Sequence, residues 1–241
     1  MAKVNSASKT TEDTLKVGFY EVNPYYFIND RGQIDGYYKE VWDLISDELD
    51  VKYEYVMADF ADCIDKLESG EIDLLFGLHR TDERLRKLEY TDNYITVEMY
   101  GLYTNKNINY GELKKLDGGK IAFVKDDINS RWMKDFLKEK SISINQVITN
   151  SYDTSADLLE SGKVDAMCSV AGDSDVKGKN IYEYSLGPVY ICGNKNSMEY
   201  INKIDRLLDQ YKEKKRNPID DIQKNIIRRI MVKINTKIDI G

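Results

Sequence analysis

The chain has little of the chemistry that metal sites, disulfide scaffolds and nucleic-acid interfaces need. Its 241 residues include one histidine and three cysteines, too few for a disulfide scaffold or for a zinc site built from cysteine and histidine. Acidic residues outnumber basic ones, 42 to 35, and the formal net charge is −7, whereas a nucleic-acid binder usually carries a basic face. We therefore expect no cofactor, no metal and no nucleic-acid partner, and any catalytic triad would have to use His79.

Long apolar runs are also absent from the sequence. No stretch approaches the roughly 20 apolar residues of a membrane span, and the polar start after Met1 lacks the apolar segment of an export signal. The chain is therefore either cytosolic or an exported chain whose signal has been removed. We interpret residues 1–14 as a disordered tail or a remnant of cloning.

Tyrosine is the residue type in excess, with 18 copies beside six phenylalanines and two tryptophans. A tyrosine joins an apolar ring to a hydroxyl group, and such residues often line clefts for polar ligands. A codon bias of the source explains the excess equally well.

Hydrophobic periodicity in the first hundred residues predicts the order β-α-β-α-β, which is typical of a parallel sheet with helices on its faces. The expected elements are a strand at residues 15–20, a helix at 36–49, a strand at 51–57, a helix at 60–67 closed by Gly70, and a strand at 72–76.

A short motif occurs twice, as LESGEID at residues 67–73 and as LESGKVD at residues 159–165. Both copies fit a helix end, a glycine turn and a strand start. The second copy lies in a similar order of expected elements: strand 120–125, helix 131–138, strand 145–148, helix 155–160 and strand 164–170. Chance recurrence of a common helix–turn–strand sequence is the alternative, but the matching context favours two similar α/β lobes.

Two long strand-like segments, residues 94–105 and 184–193, are expected to connect these lobes. Lobe 1 then comprises residues 15–98 plus 191–241, and lobe 2, residues 99–190, is inserted into it. Helices are expected at residues 198–211 and 219–230. Two lobes joined by two crossings form a hinge, and the cleft between them is the expected ligand site.

Five ordered stretches resemble one family. Residues 77–84 (GLHRTDER) resemble the G-x-x-x-T-x-E-R stretch of type II periplasmic binding proteins, the extracellular solute-binding proteins of the polar amino-acid class. The other four are NPYYF at 23–27, GYYKEV at 36–41, YTDNY at 90–94 and GKIAFV at 119–124. The resemblance implies the two-lobed α/β fold of that family, in which each lobe is a mainly parallel sheet flanked by helices.

The resemblance also implies a function outside the cytoplasm, periplasmic or at the cell surface with a membrane or lipid anchor. The module would bind an amino acid or another small carboxylate and close on it. The tyrosine pair at 37–38 and the KDDIN run at 125–129 look like the sensor-domain branch, whose partner is a membrane-linked signalling domain. The alternative is the substrate-binding protein of an ABC permease. A dehydratase-type enzyme is disfavoured, because no nucleophile–base pair or phosphate-binding motif is visible.

The resemblance assigns the ligand carboxylate to Arg84, whose guanidinium suits bidentate binding. The alternative is a solvated helix on which Arg84 is a surface charge. Gly77 would expose its backbone to the ligand. His79 stands where the family has a small polar residue, so it either contacts the ligand, with a possible pH response, or points to solvent.

Four further candidates come from the first lobe. Glu21 stands at the end of the first strand, where amino-acid binders often place an acid for an ammonium group. Tyr25 and Phe27 match the aromatic pair of the family's cleft, and Phe60 matches an aromatic position after the second strand. Core packing or an amphipathic helix start are the alternatives for these rings.

Asp127 and Asn129 are the candidates from lobe 2, at a helix start whose free amides suit an anion; capping of that helix is the alternative. The family's usual ammonium anchor is missing, because its position is Val170 here. Asp173, three residues later, is a candidate substitute. This departure argues against an ordinary α-amino-acid ligand.

The three cysteines, Cys63, Cys168 and Cys192, lie in apolar settings and are expected to be buried thiols. A Cys168–Cys192 disulfide remains an open alternative.

Overall fold

The computed structural model describes residues 14–226 and residue 228. Its strands are β1 (Leu15–Phe19), β2 (Phe27–Ile28), β3 (Ile34–Asp35), β4 (Tyr53–Met57), β5 (Leu74–Leu78), β6 (Glu89–Thr104), β7 (Lys120–Val124), β8 (Asn145–Thr149), β9 (Ala166–Val170) and β10 (Lys179–Gly193). Its helices are α1 (Tyr37–Leu49), α2 (Phe60–Ser69), α3 (Asp82–Leu85), α4 (Ile128–Glu139), α5 (Tyr152–Glu160) and α6 (Met198–Glu213), with a 3₁₀ turn at Leu113–Leu116. Residues 218–226 are also helical.

One eight-stranded sheet runs through the molecule in the order β4-β1-β5-β10-β6-β9-β7-β8. At each end three strands are parallel, and between them β6 and β10 are antiparallel to each other and to their neighbours. Helices pack on the sheet, so the predicted α/β class is confirmed. We use "lobe 1" for the β4-β1-β5 end with its helices and "lobe 2" for the β9-β7-β8 end.

The long strands β6 and β10 occupy the two predicted crossings. β10 pairs with β5 only from Tyr190 onward, whereas β6 pairs with β9 only from Tyr100 onward. The pairing supports the division at residues 98/99 and 190/191, which stays a prediction. The predicted tail at residues 1–14, apart from Thr14, and the chain after residue 228 lie outside the described residues.

The repeated motif has a structural explanation in its final aspartate. Asp73 accepts a hydrogen bond from the backbone N–H of Lys16 through Oδ2 at 2.8 Å, and its own N–H donates to the Lys16 carbonyl. Asp165 makes the same pair of contacts with Lys120, at 2.7 Å for the side chain. Each aspartate therefore ties the start of its own strand, β5 or β9, to the first strand of its lobe.

Helices α4 and α5 begin earlier than the periodicity predicts, at Ile128 rather than 131 and at Tyr152 rather than 155. The cause is capping. The Asp127 carboxylate accepts the N–H groups of two residues in the first turn of α4, and the Ser151 hydroxyl accepts the N–H of Thr154. Each first turn has one apolar or aromatic residue followed by polar ones, which is too little for a helical periodicity, but the caps make these turns helical.

Much of the tyrosine excess lies in the core rather than in the cleft. Tyr26, Tyr37 and Tyr38 are almost fully buried, and the Tyr26 ring lies 5.1 Å from that of Phe19. Tyr94, by contrast, is 52% exposed.

All three cysteines are buried and free, which confirms the expected thiols and excludes the Cys168–Cys192 disulfide in this structure. Burial raises the pKa of each thiol to about 12. Across residues 14–226 no helix has both the length and the apolar character of a membrane span.

Candidate functional site

A cavity of about 10 Å³ lies between the lobes, where the carboxyl ends of β1, β5, β7 and β9 converge. Such strand ends are the usual ligand sites of α/β sheets. Six of the predicted site residues line this cavity: Phe60, Gly77, His79, Arg84, Asp127 and Asn129. The remaining lining residues are Tyr20, Val22, Leu78, Glu98, Tyr100, Ile128, Tyr152 and Val170.

Arg84 is buried, with 8% exposure, while Glu83, Arg86 and Lys87 around it are exposed. The surface-charge alternative for Arg84 is therefore wrong. Its helix is a single turn, held by the Thr81 hydroxyl, which accepts the N–H of Arg84 at 3.1 Å. This cap turns the guanidinium inward.

The Arg84 guanidinium bridges the lobes. Nη1 donates to the carbonyl of His79 in lobe 1 at 3.1 Å, and Nη2 donates to the carbonyl of Asp126 in lobe 2 at 2.6 Å. A guanidinium carries five donors, so donors remain for a further group. Among the described residues no carboxylate side chain forms an ion pair with it.

Gly77 lies inside β5 with a φ of +83°, and a Cβ atom there would come within 2.6 Å of the hydroxyls of Tyr20 and Tyr38. Glycine is therefore required for both backbone conformation and space. The position keeps the backbone of β5 close to the cavity.

His79 is 5% exposed and does not point to solvent. Its Nδ1 lies 2.9 Å from the carbonyl oxygen of Pro188, and since a carbonyl only accepts, Nδ1 carries the proton. Burial lowers the pKa of His79, with Asp127 opposing this effect. The neutral ring therefore keeps a lone pair on Nε2, which is buried and has no partner.

Asp127 caps α4, as the structural alternative proposed. Oδ1 accepts the N–H of Asn129 and Oδ2 accepts the N–H of Ser130, each at 3.0 Å. Asn129 donates its Nδ2 to Asp127 Oδ1 at 3.0 Å, so its own Oδ1 is the free end, buried and without a partner. The helix start therefore presents an acceptor as well as amides.

Glu98 is the residue that our sequence analysis missed. It lies on β6, is 2% exposed and lines the cavity. Tyr38 donates to Oε1, and Tyr100 donates to Oε2 at 2.5 Å. Burial raises the pKa of this carboxyl to about 7, against the lowering effect of the two tyrosine hydrogen bonds. The alternation of the strand could have indicated that Glu98 is buried, because residues two apart lie on the same face and Tyr100 is buried.

The structure does not bring Glu21, Tyr25 or Phe27 to this cavity. The backbone N–H of Val22 bonds the carbonyl of Tyr26 at 2.8 Å, so the chain reverses direction between these two residues and Tyr25 lies within the turn. The Tyr25 ring then stacks on Tyr38 with centroids 5.2 Å apart, which is packing as the alternative proposed.

Glu21 and Phe27 line a second, open groove beside Asp173 and Asp175. Asp173, the candidate ammonium anchor, accepts the Ser169 hydroxyl at 2.6 Å and faces this groove rather than the cavity. Burial, and then hydrogen bonding to Glu21, raise the pKa of Asp153 well above its usual value. This carboxyl pair joins lobe 1 to the start of α5.

The lobes are closed on each other. The N–H of Ala61 in α2 bonds the carbonyl of Asn150 at 3.1 Å, and the rings of Phe60 and Tyr152 meet with centroids 5.6 Å apart. A cavity of about 10 Å³ holds one water-sized molecule. Any larger solute must therefore enter through an opened cleft.

A family model for bacterial extracellular solute-binding proteins, family 3, matches residues 15–218. The chain belongs to this family. The expected type II periplasmic-binding fold and the amino-acid class of the family are thereby confirmed.

Two curated relatives of this family 3 protein align with about two thirds of the chain. YxeM of Bacillus subtilis (strain 168), named as an amino-acid-binding protein, is 23% identical over 67% of this chain and 61% of its own length. PatH of Vibrio harveyi, named as a binding protein of an amino-acid ABC transporter, is 26% identical over 63% and 59%. The matched part spans about three fifths of these relatives.

Solved structures share the fold at low sequence identity. An ancestral arginine-binding protein bound to arginine superposes with a TM-score of 0.74, at 22% identity over 90% of this chain and 99% of that one. A histidine kinase sensor domain superposes with a TM-score of 0.72 and is 17% identical, with 89% of this chain and 96% of that one covered. An ancestral amino-acid-binding protein described as a precursor of cyclohexadienyl dehydratase superposes with a TM-score of 0.69. It is 21% identical, with 88% of this chain and 94% of that one covered.

Proposed function

We propose that this chain is an extracytoplasmic module that binds an amino acid or another small carboxylate between its lobes. Arg84 carries the proposal. It is a buried cation between the lobes that donates to the backbone carbonyls of His79 and Asp126. A ligand carboxylate would supply the negative charge that a buried guanidinium requires.

Closure of the lobes is the proposed output. The contacts between α2 and the loop after β8, and between Arg84 and Asp126, join the two lobes directly. Because the closed cavity is far smaller than an amino acid, binding has to be coupled to opening and reclosing around the hinge of β6 and β10.

We further propose that closure signals to a membrane-linked domain. The Tyr37–Tyr38 pair, which suggested the sensor branch, has a mechanical role that supports this reading. Tyr37 donates to the carbonyl of Ile95 at 2.6 Å, and Tyr38 donates to Glu98. Both hydroxyls attach α1 to β6, so a movement of the crossing strand is transmitted to a helix of lobe 1.

The second candidate is the substrate-binding protein of an amino-acid ABC permease. The name of PatH as a binding protein of an amino-acid ABC transporter favours it. In either case we propose a membrane or lipid anchor and binding without turnover. The gene context separates the two, since a signalling domain on the same chain supports the sensor and a neighbouring permease supports transport.

A thermal-shift screen of the twenty L-amino acids and of small carboxylates tests the binding proposal. A ligand at 100 times its Kd stabilises the folded state by about 2.7 kcal/mol, which raises Tm by about 5–10 °C for a domain of this size. Arg84→Gln is expected to remove this shift, whereas Arg86→Gln, an exposed arginine of the same turn, is expected to keep it. Absence of any shift for the wild type, or a full shift for Arg84→Gln, contradicts the proposal.

A further inference from the structure

Three acceptors without a matching cation line the cavity, each from a different part of the fold. They are the Glu98 carboxylate on β6, Nε2 of His79 after β5, and Oδ1 of Asn129 at the start of α4. Arg84, which we assign to the ligand carboxylate, is a donor and therefore binds the other charged group of the ligand.

Glu98 is buried without a counter-ion among the described residues. Its two oxygens receive the hydroxyls of Tyr38 and Tyr100, and the other charge that acts on it is that of Asp127, another acid. Each carboxylate oxygen accepts two hydrogen bonds, so each has capacity for one more donor. A buried carboxylate is costly unless it is paired with a positive charge.

The hydrogen-bond networks fix the other two groups as acceptors. His79 uses its Nδ1 proton on the Pro188 carbonyl, so Nε2 can only accept. Asn129 turns its amide nitrogen toward the Asp127 carboxylate, so its free atom is the oxygen. Both atoms are buried without a hydrogen-bond partner, in residues that are only 5% (His79) and 1% (Asn129) exposed.

We propose that Glu98, His79 Nε2 and Asn129 Oδ1 form a pocket for the primary ammonium group of the ligand. The inference rests on the proposed function and adds the second charge of the ligand. An ammonium group carries three N–H donors, one for each acceptor. This pocket takes the place of the missing lobe 2 anchor, because Val170, which stands at the anchor position, lines the same cavity.

The surrounding rings suit a cation as well. Tyr20, Phe60, Tyr100 and Tyr152 line the cavity, and aromatic faces attract cations through their quadrupole. The pocket therefore selects a ligand that carries an ammonium group as well as a carboxylate.

The test compares wild type, Glu98→Gln and the control Glu89→Gln, which makes the same substitution on β6 but away from the cavity. Calorimetry uses three matched sets: the L-amino acids, the amines that lack their carboxylate, such as agmatine for arginine, and the deaminated acids that lack their ammonium group. Glu98→Gln is expected to lower the affinity for the amino acid by about tenfold or more. Its affinity for the deaminated acid is expected to stay within about twofold, because that probe does not use the pocket.

Equal affinity of wild type and Glu98→Gln for the amino acid overturns the inference, and so does equal binding of the amino acid and its deaminated acid to wild type. If Arg84→Gln weakens the acids while Glu98→Gln changes nothing, the proposed function stands and the ammonium pocket fails. If amines bind wild type but not Glu98→Gln while no acid binds, the pocket stands and the carboxylate assignment fails. No binding from any of the sets rejects both. Melting of unliganded Glu98→Gln checks its folding.

Discussion

The buried carboxyl of Glu98 makes the stability of the unliganded protein depend on pH in a defined direction. Its folded pKa is about 7 rather than 4.5, mainly because of burial. Below pH 4.5 the group is protonated in both states and contributes nothing. Between pH 4.5 and 7 only the folded state holds the proton, so unfolding releases it and stability falls as pH rises.

The magnitude follows from the pKa. At 1.36 kcal/mol for each pKa unit, the difference between 4.5 and about 7 corresponds to a loss of about 3 kcal/mol in the free energy of unfolding. The full loss applies above pH 7. Because Glu98 is only 2% exposed, solvent screening reduces this figure little. Glu98→Gln removes the titration, so we expect the variant to match wild type near pH 4.5 and to exceed it by up to about 3 kcal/mol at pH 8.

Urea unfolding of wild type and Glu98→Gln between pH 4.5 and 8 measures the difference in their free energies of unfolding. Asp153, Asp173 and His79 also titrate with shifted pKa values, but they are present in both proteins and cancel in the difference. A flat difference across this range, or a Glu98→Gln protein less stable than wild type at pH 8, would refute the reasoning.

Three further predictions concern the backbone and the groove. Gly77→Ala is expected to destabilise by about 1–3 kcal/mol more than Gly111→Ala in urea unfolding, because both have a φ near +80° but only the first meets side chains. Asp73→Ala and Asp165→Ala are each expected to cost about 1–3 kcal/mol, with Asp73→Ala the larger because Asp73 is buried; negligible losses contradict the strand-tying role, and equal losses contradict the ranking by burial. Raising the pH through about 7 ionises Asp153 beside a second carboxylate, so scattering should show a more open wild type at pH 8 than at pH 6, and Asp153→Asn should reduce that change, with Glu98 supplying the remainder.

The elements were predictable because burial in this fold follows simple periods. Strand β1 has buried positions that its alternation indicates, and α1 buries Val41, Trp42 and Ile45 at helical spacing. The two copies of the repeated motif end in the aspartates that tie β5 and β9 to β1 and β7. Structure that has a local physical cause, such as periodic burial or a hydrogen-bonding aspartate in a short motif, can therefore be predicted from the sequence.

The site was less predictable because it depends on contacts distant in sequence. Arg84 is placed by its cap and by the Asp126 carbonyl of the other lobe, and only the family resemblance indicated it. Tyr25 was misplaced because its ring stacks on Tyr38, a contact that no local sequence pattern shows. Glu98 was overlooked because a buried acid in a strand becomes significant only when the hydroxyls of Tyr38 and Tyr100 are known to meet it.

The position of Glu98 on a crossing strand links ligand charge to closure. Tyr38 holds it from α1 of lobe 1, and Tyr100 holds it from the part of β6 that pairs with Val170 of lobe 2. When the lobes part, water reaches the carboxylate and relieves the cost of its burial, so an ionised Glu98 favours the open form. An ammonium group in the pocket removes the same cost in the closed form. We expect the part of this cost that opening relieves to set how strongly the charge of the ligand shifts the open–closed equilibrium. Its upper limit is the full burial cost of about 3 kcal/mol, which corresponds to about 100-fold.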